Sequence, residues 1–164
     1  MQSSTTNIDS SLFFGNFISA NSETTTEGGA FYIIQSSCTL TDCHFEGNYA
    51  TSTQINSISR GGAISSKNSD FYFFECEFIN NSIQSQSQYG GSILLNESNS
   101  TFTSCMFSNN SALSSGGAVY LNEGFITFES CNFINNKATQ GGDIFNKFDS
   151  DEFNMSINGC HFEK

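Results

Sequence analysis

Residues 116–136 read "GGAVYLNEGFITFESCNFINN": two glycines, then a cysteine, a phenylalanine and an asparagine at set distances. The same set recurs along the chain. Glycine pairs begin at Gly28, Gly61, Gly90, Gly116 and Gly141. Each is followed by Cys-x-Phe, at Cys43/Phe45, Cys76/Phe78, Cys105/Phe107, Cys131/Phe133 and Cys160/Phe162. Three residues after the first four phenylalanines stand Asn48, Asn81, Asn110 and Asn136. A degenerate copy, Ser11, Phe13 and Asn16, precedes them all. Self-similarity at such a period is the mark of stacked repeats, one supersecondary unit per copy.

Asn48 stands 20 positions after Gly28, as in every other complete copy, whereas the step from Asn to the next glycine pair runs 12, 13, 9, 6 and 5. A constant module alternating with a segment of free length describes one coil of a solenoid, with insertions confined to one loop. The modules are too short for two helices and their turns. "FYIIQ", "SILLN", "AVYLN" and "FITFESC" are rich in Phe, Ile and Tyr and bounded by Gly, Asn and Ser, which reads as strands. Leu40, Phe73, Phe102, Phe128 and Ile157 lie three residues before each Cys, and Cys38, Phe71, Ser100, Ile126 and Met155 two residues earlier. The two sets share parity and should point inward; the Cys breaks parity, so a corner or bulge must fall between. Gly15, Gly47, Asn80, Asn109 and Asn135, each before a ladder Asn, are types that tolerate the left-handed conformation, so a second bend is expected there. The absence of proline fits strands that each donate to a ladder. The reading is all-β, a parallel β-helix of about five to six coils over residues 1–164, expected to be one domain and a piece of a longer repeat protein. Internal columns of Cys, Phe (Phe45, Phe78, Phe107, Phe133, Phe162) and Asn (from Asn16 to Asn136) should run along it.

These residues resemble the repeats of the chlamydial polymorphic outer-membrane proteins, in which GGA-[ILV] and FxxN tetrapeptides alternate. "GGAF", "GGAI", "GGSI" and "GGAV" match the first; "FFGN", "FEGN", "FINN", "FSNN" and a second "FINN" match the second. Similar repeats occur in large surface proteins of protists. The resemblance covers nearly the whole chain and implies a right-handed parallel β-helix with an adhesive role at the cell surface. "GGDI" at 141–144, the 19-residue spacing that follows it and the lack of a barrel segment depart from the pattern.

Composition narrows the partners. Five basic residues face 16 acids, a net charge of −11. Such a surface repels nucleic acid and anionic membranes, since polyanion binding needs clustered Lys and Arg. No apolar run approaches the ~20 residues that span a bilayer, and the first residues lack the basic and apolar regions of a signal peptide. The chain is expected to be a non-enzymatic extracellular or surface scaffold or adhesin without a cofactor. Its variable loops would take a protein or glycan ligand, with Tyr49, Gln54, Asn56 and Arg60 as contacts on a polar patch projecting from one side. Neighbouring repeats of the same chain, or self-association through open coil ends, are further partners. A segment of a filament or giant protein is one alternative. A polysaccharide-active enzyme is another, on fold analogy alone.

Individual residues yield little chemistry. Five of the six cysteines share one column, where neighbouring Cβ atoms would be about 4.8 Å apart, wider than a disulfide prefers, so mostly free thiols are expected. His44 and His161 stand four coils apart and cannot share a metal. Asp42, Glu75 and Glu77, with His44 beside them, are weak candidates for holding Ca²⁺ or for acid–base work, against a solvated acidic face; "DSDE" at 149–152 lacks the glycine turn of an EF-hand. Asn80, Asn96, Asn99, Asn109 and Asn154 stand in Asn-x-Ser/Thr sequons, candidate glycan acceptors in a secretory pathway.

Overall fold

A computed structural model describes residues 4–21, 24–53, 57–84, 87–147 and 155–164. Each coil crosses three parallel sheets in turn. An entry sheet holds Phe31–Ile34, Ile64–Lys67, Ile93–Asn96, Val119–Asn122 and Ile144–Lys147. A middle sheet holds Ser4–Asp9, Ser36–Thr41, Asp70–Phe74, Asn99–Thr103, Ile126–Glu129 and Met155–Asn158. An exit sheet holds Leu12–Phe14, His44–Glu46, Glu77–Ile79, Met106–Ser108, Asn132–Ile134 and His161–Glu163. Strand neighbours are always successive coils, and equivalent repeat positions pair, as in Leu40 with Phe73 and Phe45 with Phe78. All-β, with about five stacked turns, is the observed architecture.

Strict register turns each repeated residue into a column. Phe13, Phe45, Phe78, Phe107, Phe133 and Phe162 stack with centroids 4.7, 4.9, 5.0, 4.8 and 4.8 Å apart. A second stack, Phe73, Phe102 and Phe128, meets it edge-on: Phe73–Phe78 and Phe102–Phe107 centroids are both 5.6 Å apart. Offset stacking along the axis and edge-to-face contact across it are the two arrangements the ring quadrupole favours. At the last described coil Phe162 is stacked yet exposed, because only one neighbour covers it.

The expected asparagine ladder is also present. Asn48 Nδ2 donates to Phe13 O on one side (2.8 Å) and to Asn81 Oδ1 on the other (3.0 Å), while its backbone N–H donates to the same Oδ1 (3.0 Å). Asn81 and Asn110 repeat the pattern, which is how a buried amide keeps all its groups bonded. Asn136 Nδ2 donates instead to Asp143 Oδ1 (3.0 Å). The departure from Ala or Ser in "GGDI" thus places an acceptor on the ladder.

Four left-handed corners shape a coil. One lies at the first glycine of each pair, and another is the expected bend at the residue before the ladder Asn. The parity break resolves as a third, at Ser10, Asp42, Glu75, Ser104 and Ser130, one residue before the Cys position. A fourth lies between the entry and middle sheets, at Gln35, Asn68, Glu97 and Glu123. The glycine pair divides its work. Gly61 adopts φ 60° and a Cβ on it would meet its own coil, 1.9 Å from Ile64 O, whereas a Cβ on Gly62 would meet the next coil, 2.1 Å from Gly91 O.

The insertions, expected as variable polar loops, carry strands of their own. Phe17–Ala20, Tyr49–Ser52 and Ser82–Gln84 form one three-stranded parallel sheet, and Thr25–Glu27, Ile58–Arg60 and Ser87–Tyr89 another. They form a flap of two outgoing and returning layers. Thr26, Ala50, Ser57, Ser59 and Ile83 are buried in it, so the patch is not simply polar surface. Stacking continues outward because consecutive insertions of similar length align their backbones just as the coils do. Where the insertions shorten, only isolated bridges continue it, from Ser82 to Ser111 and from Tyr89 to Ser115.

Candidate functional site

The cysteine column is part of the corner. Cys43 Sγ donates to Thr41 O (3.3 Å), Cys76 Sγ to Phe74 O (3.4 Å) and Cys105 Sγ to Thr103 O (3.4 Å), each across its left-handed residue. Ser11 Oγ makes the same bond to Asp9 O (2.8 Å), which explains serine in the degenerate copy. At the fourth corner Ser36, Ser69 and Ser98 repeat it to Ile34, Lys67 and Asn96. All six cysteines are free thiols. Burial, with the neighbouring Cys43 second, pushes the Cys38 thiol up to about 11, away from nucleophilic chemistry at neutral pH.

The acidic group separates into two columns. Asp42 and Glu75 are corner residues, with Asp42 accepting from Ser10 Oγ (3.3 Å). Glu77 stands on the exit sheet, where it takes His44 Nδ1 at 2.8 Å, while Glu46 takes Nε2 at 3.2 Å. The imidazole holds its two carboxylates on opposite edges of the ring, so they do not converge on one point. Among the described residues no three His, Cys, Asp or Glu are placed to hold a metal ion. His161 lies at the other end of the same sheet, 3.8 Å from Glu163. The "DSDE" segment lies outside the described residues.

The flap gathers more. Arg60 Nη1 pairs with Glu27 Oε1 at 2.7 Å, and Ser65 Oγ donates to Glu27 Oε2. Burial, then the Glu27 charge, raises the neighbouring Tyr32 phenol, partly countered by Arg60. Arg60 is therefore half committed to the fold. Tyr49 lies under Phe17, their rings stacked at 5.2 Å. Phe17 is 61% exposed, and Leu12 and Phe14 on the same coil are 65% and 66% exposed. Sequence reasoning passed over these three; their signal is two apolar side chains of outward parity, Leu12 and Phe14, beside an aromatic next to the ladder Asn. Gln54 and Asn56 lie outside the described residues. Where the insertions shorten, a notch of about 310 Å³ opens, lined by Ile83, Ala112, Leu113, Lys137 and Thr139 among others.

The sequons occupy unlike places. Asn80 and Asn109 are exposed left-handed corners. Asn96 and Asn99 lie at the ends of strands, with their amides engaged by neighbouring coils. Asn154 is outside the described residues.

No curated protein and no solved structure matches the chain. The family described as "Right handed beta helix region" matches residues 2–164. With three parallel sheets, in-register columns and a family match over almost its full length, the chain belongs to the right-handed β-helix family.

Proposed function

We propose that this chain is a non-enzymatic repeat scaffold of the cell surface or extracellular space, an adhesin-like segment whose flap contacts a protein or glycan partner. The observation that carries this reading is the flap itself. The longest insertions fold into their own stacked strands, the first of which begins at the exposed Phe17, on the same coil as the exposed Leu12 and Phe14. A rigid platform with exposed aromatic groups loses less conformational freedom on binding than a floppy loop does. The alternation of GGA-[ILV] and FxxN supports the same reading through its resemblance to polymorphic outer-membrane repeats. Surface charge of −11 directs the partner away from polyanions.

Phe17→Ser removes an exposed ring and leaves the core columns untouched. Binding of the chain to cells, to arrayed glycans or to a captured partner should fall at least tenfold, with an unchanged melting temperature. Unchanged binding would place contact elsewhere and overturn the flap as the binding element.

A further inference from the structure

Sequons differ in whether the fold leaves their side-chain nitrogen free, and this structure separates them. N-glycosylation joins Asn Nδ2 to the anomeric carbon of an oligosaccharide carried on a polyprenyl pyrophosphate. The carbon–oxygen bond to pyrophosphate breaks, its electron pair leaves with the pyrophosphate, and Nδ2 gives up one proton. The modified nitrogen then carries a sugar wherever it points. At Asn99, Nδ2 donates to Asp70 Oδ1 (3.0 Å) while Oδ1 accepts the Phe125 N–H (3.0 Å), so the amide ties two neighbouring coils together. Asn96 is half-buried; its Oδ1 accepts from Asn122 Nδ2 and its own Nδ2 donates to Glu97. A sugar on either nitrogen crowds these contacts.

Asn80 and Asn109 stand instead at exposed corners with φ 55° and 56°. They belong to one column, Gly15, Gly47, Asn80, Asn109 and Asn135, in which each backbone N–H bonds the next coil, as from Gly47 to Ile79 O and from Asn80 to Ser108 O. Along that column Asn109 has an asparagine on both sides, and its Nδ2 donates to Ser108 Oγ (2.8 Å). Asn80 has a neighbour of that kind on one side only. On the other side come Gly47 and Gly15, where even an added Cβ would meet nothing within 4 Å. Among the described residues the Asn80 side chain makes no hydrogen bond. An open lane two coils wide therefore begins at Asn80. A pyranose with its substituents is wider than the spacing of about 4.8 Å between coils, so sugars on Asn80 and Asn109 compete.

We propose that, among the four described sequons, Asn80 is the N-glycan acceptor, that Asn109 is a mutually exclusive second site, and that Asn96 and Asn99 stay unmodified. In the native setting this rests on the surface reading above, because only a secreted chain meets the transferase. The test separates the two by supplying a secretion leader, so that entry into the pathway does not depend on the chain's own location. The chain is secreted from a eukaryotic host, and glycopeptides are quantified by mass spectrometry. Asn80 should be the most occupied of the four described sequons, with peptides from doubly occupied Asn80 and Asn109 molecules rare. Asn80→Gln should raise Asn109 occupancy several-fold. Folded protein bearing glycan on Asn96 or Asn99, or a bare Asn80 beside a filled Asn109, overturns the assignment. So does secreted, folded protein with no glycan at all. Loss of the proposed flap binding has no bearing on these readouts.

Discussion

The two aromatic stacks carry the largest apolar side chains of the core. Phe107 touches Phe78 and Phe133 along the axis and Phe102 and Phe128 across it, and is fully buried. Phe107→Ala should cost roughly 3–5 kcal/mol in urea unfolding, because a rigid cylinder cannot collapse onto the cavity. Tyr72→Ala, on the outer face of the same coil stack, should cost less than about 1 kcal/mol. The Cys38 thiol answers to pH. Cys38 has its folded pKa raised from an ordinary 9.0 to about 11, so the neutral form is the one the fold favours. Its contribution to stability is full below pH 9 and is lost as the pH rises toward 11. Native protein should react slowly with a thiol reagent at pH 8, and denatured protein should react at all six cysteines. Fast, complete native labelling at pH 8 contradicts the buried column.

At the level of the element, the corners decide what each coil tolerates. Gly47 and Gly62 are both repeat glycines, yet their surroundings oppose each other. Gly47→Ala meets empty space and bears only the left-handed backbone penalty, about 1–2 kcal/mol. Gly62→Ala places a methyl 2.1 Å from Gly91 O and 2.6 Å from Ser82 O, backbone atoms that two coils hold in place. Thermal melting should show a modest shift for the first and loss of cooperative folding for the second. The corner before each Cys was legible only as a broken parity. Its residue types, Ser, Asp, Glu, Ser and Ser, with a glycine only at Gly159 in the last copy, carry no repeated glycine or asparagine signal, because the side chain that closes the turn belongs to the next residue.

Across the whole molecule, stability is a sum over neighbours, since each coil touches only the coils beside it. Deleting residues 90–115 removes one full coil and sets Ile64 beside Val119, Phe78 beside Phe133 and Asn81 beside Asn136, each a like-for-like match of the columns. The insertions on either side of the join still step from long to short. This variant should keep a β-sheet circular dichroism spectrum and a single melting transition. Removing residues 90–102 instead breaks the register at the join and should abolish the single transition. If both fold equally well, or both fail, the nearest-neighbour account is wrong.

The periodic residues by themselves determined the coil number, the internal columns of Phe and Asn, and two of the four corners. Those features follow from one constraint repeated in each copy, so every copy shows it again. What lies between the copies was decided by tertiary structure. The flap strands, the Glu27–Arg60 pair, the His44 clamp between Glu46 and Glu77, and the open lane beside Asn80 all join residues 29 to 33 positions apart, or two apart on one face. No local pattern marks them. They arise because stacking brings unlike residues of successive coils within about 4.8 Å, and only the folded register says which residues those are.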